Sequence, residues 1–368
     1  MKVVTIVGAR PQFIKAAVTS EALRTAGVVE ILLHTGQHFD DNMSAVFFKE
    51  LGIADPAFNL GIGGGSHGQN TGRMLEAIES VLQKVQPDGV LVYGDTDSTL
   101  AGTLAAVKLR IPVAHVEAGL RSFNRDMPEE INRILTDHAA ALLFAPTNTA
   151  VSNLAHEGIP DDRIQLVGDV MYDAALHFGA IAEHHSNILD RLALRNRPYV
   201  LATVHRAENA DNALRMRAIL EGFARCDQQI VLPLHPRTRA RLTSLDLRLP
   251  ANVHAIDPVG FLDMVMLEKQ ASVIATDSGG VQKEAFFHRV PCVTLRDQTE
   301  WTELVDAGWN RLVSPTSADH IATAIRQAIG TRGAEFHPYG FGNASAQIAE
   351  ALAGGMALTP NARLRSAT

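Results

Sequence analysis

From its first residues to about position 350 the chain alternates short apolar runs with amphipathic stretches, and that alternation leaves few folds open. Residues 3–7, 30–34, 89–93, 112–116, 141–144 and 164–167 are apolar on both faces, as strands buried inside a parallel sheet must be. Between them the period changes. Residues 14–24 follow an Arg10-Pro11 turn, residues 42–51 carry Met43, Val46, Phe47 and Leu51, and residues 71–85 set Met74, Ile78, Val81 and Leu82 on one helical stripe. The rhythm resumes with apolar runs at 199–203, 229–234, 253–256, 272–276, 291–294 and 310–313. The fold class is therefore α/β, with two Rossmann-like domains facing a central cleft. At ~150 residues per domain two domains also suit the length. Apolar periodicity weakens over 170–197, which places the junction there: residues 1–175 form the first domain and 176–343 the second. After the Gly- and Pro-rich stretch 333–343, residues 344–368 supply a helix that returns to the first domain and a tail expected to fray.

Composition narrows the function. A net charge of −7 gives no general basic face, so nucleic acid is not an expected partner. No apolar run approaches the ~18 residues of a bilayer span, and the opening strand is shorter than the ~7–15-residue core of a signal peptide. A cytoplasmic protein is expected. Cys226 and Cys292 lie 66 positions apart beside apolar runs, which fits buried free thiols in a reducing compartment.

Ligands of open α/β sheets bind at the carboxyl ends of the strands. The unusual polar residues fall there repeatedly. The first strand runs into Gly8-Ala9-Arg10-Pro11-Gln12-Phe13-Ile14-Lys15, with two cations beside a glycine turn. Gly94-Asp95-Thr96-Asp97-Ser98 offers more oxygens than one helix cap needs, and Asp95 stands nearest the strand. Glu117 ends an apolar strand, a poor place for a surface carboxylate. Pro128-Glu129-Glu130 opens a helix whose dipole accounts for one acid without demanding both. In the second half His205-Arg206 and His235-Pro236-Arg237 each follow a strand. Asp277-Ser278-Gly279-Gly280 joins a strand to a helix, so its backbone N–H groups and the Ser278 hydroxyl suit a diphosphate, and Glu284 suits sugar hydroxyls.

Two patterns are decoys. Gly63-Gly64-Gly65-Ser66-His67-Gly68 has the G-x-G-x-x-G spacing but no strong strand before it, which argues against a dinucleotide site. His34 and His38 share HxxxH spacing across what reads as a post-strand turn, so no catalytic metal and no cofactor are expected.

Taken together these motifs resemble the non-hydrolysing UDP-N-acetylglucosamine 2-epimerases. Gly8-Ala9-Arg10-Pro11 with Lys15, Gly94-Asp95-Thr96, His115-Val116-Glu117-Ala118-Gly119-Leu120-Arg121, Pro128-Glu129-Glu130 with Asn132-Arg133, His205-Arg206 with Glu208-Asn209, Asp277-Ser278-Gly279-Gly280 and Arg296-Asp297 with Thr299-Glu300 stand in the family's order. The resemblance spans residues 1 to about 350. It implies a glycosyltransferase-B-like fold, a homodimer, and C2 inversion of a UDP-bound 2-acetamido sugar by elimination of UDP to a 2-acetamidoglucal and readdition. By position it implies Asp95, Glu117 and Glu129 as catalytic carboxylates and His205 as the group serving the leaving phosphate. Arg10, Ser278, Gly279 and Glu284 are implied to hold UDP, and Lys15 and Arg133 the sugar side. Gln37, Arg73, Arg206 and His235 match positions where some members bind a second UDP-N-acetylglucosamine as activator, although Phe39-Asp40 departs from those members. Gln37-His38-Phe39-Asp40, His67-Gly68-Gln69 and Thr71-Gly72-Arg73-Met74-Leu75 also look like the branch acting on UDP-2,3-diacetamido-2,3-dideoxyglucuronate. Two rivals remain: a UDP-sugar glycosyltransferase, which needs an acceptor, and a silent nucleotide-sugar sensor, in which loss of one of Asp95, Glu117, Glu129 or His205 is expected.

Overall fold

The computed structural model describes residues 1–37 and 50–355. The helical pattern at 42–51 falls almost wholly outside the described residues, as do His38, Phe39, Asp40 and the tail from 359 onward. The chain forms two units. The first comprises Met1–Ala174 with His337–Thr368, and the second Ala175–Phe336.

The first unit is built on a parallel sheet of seven strands among the described residues: β1 (Lys2–Val7), β2 (Val29–His34), β3 (Phe58–Asn59), β4 (Gly89–Tyr93), β5 (Val113–Val116), β6 (Leu142–Ala145) and β7 (Ile164–Leu166). They lie in the order β3-β2-β1-β4-β5-β6-β7. The second unit carries six, β8 (Tyr199–Thr203), β9 (Gln229–Pro233), β10 (Val253–Ile256), β11 (Val273–Thr276), β12 (Cys292–Thr294) and β13 (Asn310–Leu312), ordered β10-β9-β8-β11-β12-β13. Each order reverses direction once, between β1 and β4 and between β8 and β11. Loops leaving those strand pairs diverge and open a crevice at the carboxyl edge. The motif-bearing loops after residues 7, 93, 203 and 276 are the four that leave these strands.

The cores follow the apolar pattern. Val4, Ile6, Val90 and Val92 pack against Met74, Ile78 and Leu82 in the first unit; Val200, Ile230 and Val273 pack with Ile219, Phe223 and Ile325 in the second. Cys226 and Cys292 are buried and free, and burial raises their thiols to about 11 and about 12. No helix among the described residues is long and apolar enough to cross a membrane.

Several boundaries differ from expectation. Arg10-Pro11 is not a turn before the helix but its first turn: the helix runs Arg10–Thr25 with Ala9 as cap, where the fixed φ of Pro11 is pre-organised. The helix expected over 71–85 begins at His67. Ser66 accepts from Gln69 N and Gln69 returns the bond, a capping box inside what reads as a glycine loop. Helix Val170–His185 runs through the expected junction, and the division between units falls within it. The return to the first unit starts at His337 and not after 343. There Tyr339 is buried and its carbonyl accepts from Asp169 N at 2.9 Å. The final helix, Ala344–Ala353, packs on Arg10–Thr25, and its first turn is fixed by Asp173, which accepts from Ala344 N and from the backbone and hydroxyl of Ser345.

Candidate active site

In the first unit one side chain binds the two crevice loops together. Gln12 Oε1 accepts from Gly8 N (2.7 Å) and Ala9 N (3.0 Å), while its Nε2 donates to Tyr93 O (2.7 Å) and to the hydroxyls of Thr96 and Thr99. Gly8 admits no side chain, since a Cβ there would stand 2.1 Å from Ser98 Oγ. Thr96 caps the helix Asp97–Lys108, which settles which oxygen of the Gly94–Ser98 loop does so and leaves Asp95 for other work. Asp95 is ion-paired with Arg133, whose other amine reaches Glu130 at 3.1 Å.

The two acids opening the helix Pro128–Ala139 divide their labour. Glu130 is buried and accepts from Ser122 N (2.9 Å), Ser122 Oγ (3.0 Å) and Phe123 N (2.9 Å), so it ties down the preceding loop. Glu129 is half-buried and makes no hydrogen bond or ion pair with any described residue. Glu117 is ion-paired with the buried Lys15 and has a left-handed backbone, φ +72°. A carboxylate residue held in that region costs of order 1–3 kcal/mol and persists only where its surroundings enforce it. Arg10 is exposed at the start of its helix. Arg10, Lys15, Asp95, Glu117, Glu129 and Arg133 thus all stand on the loops and helix starts at the carboxyl edge of one sheet.

In the second unit the organiser is Asp277, a fully buried carboxylate to which the sequence reading gave no role. It accepts from His205 N (3.1 Å), Arg206 N (3.1 Å) and Asn209 Nδ2 (3.1 Å), and lies 3.5 Å from His205 Nδ1. This fixes the His205 backbone while its ring stays about half exposed, at 48%. Ser278 caps the helix Gly279–Phe287 by accepting from Val281 N. A Cβ on Gly279 would meet Glu300 Oε1 at 2.5 Å, and the Gly279 carbonyl accepts from Trp301 Nε1 at 2.9 Å. Arg296 bonds Glu300 at 2.7 Å, and Lys283 lies over the Trp301 ring. The helix start thus offers backbone N–H groups of the kind that bind a phosphate, beside the Arg296–Glu300 pair. Glu284 is half-buried one helical turn further along.

The four positions matched to an activator divide between the units. Gln37 Oε1 accepts from Ser98 Oγ (2.6 Å) and Ser98 N, and Arg73 is exposed on the helix His67–Val85. Arg206 is half-buried with its Nη1 buried and making no hydrogen bond to a described residue, and His235 is exposed after β9. Among the described residues no group of three or more His, Cys, Asp or Glu side chains is gathered to hold a metal ion.

A family model described as UDP-N-acetylglucosamine 2-epimerase matches residues 21–353. The chain belongs to that family. Its activity is that of an epimerase, a class of isomerase. A UDP-2,3-diacetamido-2,3-dideoxy-D-glucuronate 2-epimerase from Pseudomonas aeruginosa is 52% identical over 360 residues, covering 96% of this chain and 99% of that protein. The crystal structure of the Methanocaldococcus jannaschii UDP-GlcNAc 2-epimerase in complex with UDP-GlcNAc and UDP superposes with a TM-score of 0.84 at 45% identity, covering 96% of this chain and all of that one. The Neisseria meningitidis enzyme bound to UDP-GlcNAc gives 0.85 at 33% identity, over 96% of this chain and 99% of that one. The two parallel sheets are those of a glycosyltransferase-B-like fold.

Proposed function

We propose that the protein interconverts UDP-N-acetylglucosamine and UDP-N-acetylmannosamine by anti elimination and readdition of UDP. C2–H of the sugar has no neighbouring carbonyl to acidify it, so a base must remove the proton as the anomeric C1–O bond breaks. The C–H electron pair becomes the C1=C2 bond of 2-acetamidoglucal and UDP departs with the bridging oxygen. UDP then re-attacks C1, and a proton delivered to the other face of C2 completes the inversion. This needs carboxylates for both faces and positive support for the diphosphate. Asp95, Glu117 and Glu129 supply the first from one sheet edge. His205 assists the leaving phosphate, while Ser278, Gly279, Glu284 and Arg10 hold UDP, and Lys15 and Arg133 serve the sugar side. The observation that carries the reading is the pairing of Lys15 with Glu117 and of Arg133 with Asp95 at the carboxyl edge of the first sheet, in a chain of this family. A homodimer and the cytoplasm belong to the same reading, and an activating second UDP-sugar at Gln37, Arg73, Arg206 and His235 is its regulatory extension.

A second substrate is favoured by a specific finding. The 52%-identical relative is named for UDP-2,3-diacetamido-2,3-dideoxyglucuronate, and the same elimination applies to that sugar. Proton NMR in deuterated water, with each sugar nucleotide and no acceptor, decides between them. The expected result is C2 epimer carrying deuterium with the true substrate, because the proton returned comes from a carboxylate equilibrated with solvent. Product that retains protium at C2 would count against elimination and readdition. Turnover only with an added acceptor would instead indicate a glycosyltransferase.

Arg10 is tested separately. Arg10→Ala is expected to weaken UDP binding by ~1.5–3 kcal/mol, the worth of a hydrogen bond to a charged group. Calorimetry showing unchanged UDP affinity would remove Arg10 from the diphosphate site.

A further inference from the structure

The turns bearing Asp95 and Glu117 share a buried support that the reaction itself does not require. His115, in β5, and Asp137, near the end of the helix Pro128–Ala139, are both fully buried and bonded at 2.7 Å through Nδ1 and Oδ1. The other ring nitrogen, Nε2, lies 2.7 Å from the Gly94 carbonyl. A carbonyl only accepts, so Nε2 donates, and the ring pins the peptide that leads directly into Asp95.

The second oxygen of Asp137 acts on the other turn. Oδ2 accepts from Gly119 N at 3.0 Å and from Arg121 Nη1 at 2.7 Å. Those residues close the turn in which Glu117 has φ +72° and Gly119 φ +81°. Gly119 tolerates no side chain, because a Cβ would stand 2.4 Å from Ala150 O. Arg121 is itself held by a two-pronged bond to Glu157 at 2.7 and 2.8 Å, and His138 closes on Glu157 at 3.0 Å. Burial opposes the charge on Asp137, but the hydrogen bonds and positive charges of His115 and Arg121 outweigh it and hold the carboxyl below its ordinary value. Asp137 and Glu157 both pair with Arg121, so the cluster holds no stranded ion.

We propose that Asp137 is the positioning residue for both catalytic carboxylates, fixing the Asp95 turn through the His115 ring and the strained Glu117 turn through the Gly119 N–H and Arg121. It touches no substrate. Its effect is to hold two groups of one reaction in register with each other, and a misplacement of about 1 Å in such groups costs on the order of 10²-fold in rate. The inference rests on the assignment of Asp95 and Glu117 as the catalytic pair.

The test compares Asp137→Ala, Asp137→Asn, His115→Asn and His115→Gln in the full-length protein, below the melting temperature of each. Asp137→Ala is expected to lower kcat by ~30–100-fold with KM changed no more than about threefold. UDP affinity by calorimetry should hold, since the residues Asp137 bonds, His115, Gly119 and Arg121, are not those assigned to UDP. Asp137→Asn can accept from Gly119 and donate to Nδ1, so it should retain kcat to within about fivefold. His115→Asn removes the donor to Gly94 and should lose rate, whereas His115→Gln, whose amide nitrogen reaches the place of Nε2, should recover most of it. If Asp137→Ala does not fold, the two His115 variants carry the test. Equal kcat for His115→Asn and His115→Gln would overturn the proposal, as would Asp137→Ala at wild-type kcat. Wild-type protein inactive on both sugar nucleotides would instead sink the functional reading and this inference with it, an outcome distinct from those of the variants.

Discussion

Asp95→Asn, Glu117→Gln and Glu129→Gln are each expected to lower kcat by ~10²-fold or more while UDP affinity changes little, the size usual for loss of a positioned acid or base. The amide keeps the shape of the acid and removes its proton chemistry. The three variants should nevertheless differ in stability, and that difference identifies them. Glu117→Gln removes the carboxylate ion-paired with the buried Lys15, so it should lower the unfolding free energy as well as the rate. Asp95→Asn strips Arg133 of one of two acidic partners and should cost less, because Glu130 remains. Glu129→Gln breaks no bond to a described residue and should melt like the parent. Steady-state kinetics with thermal melts separate these outcomes. A residue whose loss unfolds the protein without slowing the folded fraction is a structural group, and one whose loss leaves kcat intact has no part in the chemistry.

What the sequence shows and what it hides divide along contact range. Strands are legible because burial on both faces writes a continuous apolar run, as at 89–93 and 199–203, where the structure has the same bounds. The two-residue strand Phe58–Asn59 writes nothing, since its pairing comes from Leu33 and His34 and not from its own pattern. The helices start at 10 and 67, before the 14 and 71 that apolar periodicity marks, because the decisive contacts are caps, and a capping box inside Gly-rich sequence looks like loop. The site divides in the same way. Polar residues proposed for the chemistry announce themselves at strand ends by being out of place, as Glu117 and His205 do. The residues that hold them are ordinary in type and act across long separations: Gln12 on Tyr93, Asp277 on His205, Asp137 on His115. Gln12 and Asp277 stand in visible motifs and Asp137 in none, but the roles of all three exist only once the neighbours β1/β4, β4/β5 and β8/β11 are brought together. Glu129 and Glu130 show the limit most clearly, since adjacent identical residues are distinguished only by which of them the Ser122-Phe123 loop engages.

Acid should destabilise the second unit through His288. Burial, with the charge of Lys269 adding to it, lowers this imidazole from 6.5 to about 4. The groups facing it are Glu268 at 3.9 Å and Lys269, both from the helix Phe261–Gln270 packed against its own. Burial and the nearby Glu284 carboxylate push Glu268 well up, and Lys269 is paired with Glu183 at 2.8 Å. Above pH 6.5 His288 is neutral in both the folded and unfolded chain and contributes no pH dependence. Between 6.5 and about 4 the unfolded chain takes up a proton that the folded one refuses, so stability falls as pH falls. At 1.36 kcal/mol per unit the loss from this group is about 2 kcal/mol between pH 7.5 and pH 5. Glu268 has the opposite sign, its raised folded value favouring the folded state at lower pH, so the parent shows the difference of the two. His288→Gln removes only the first, and its unfolding free energy should fall less than the parent's, by about 2 kcal/mol, on going to pH 5. Both tryptophans, Trp301 and Trp309, lie in the second unit, so urea titrations followed by their fluorescence read the unit that holds His288. Parallel pH dependence in parent and variant would show that the ring is reached by solvent in the folded protein and titrates there as it does in the unfolded chain.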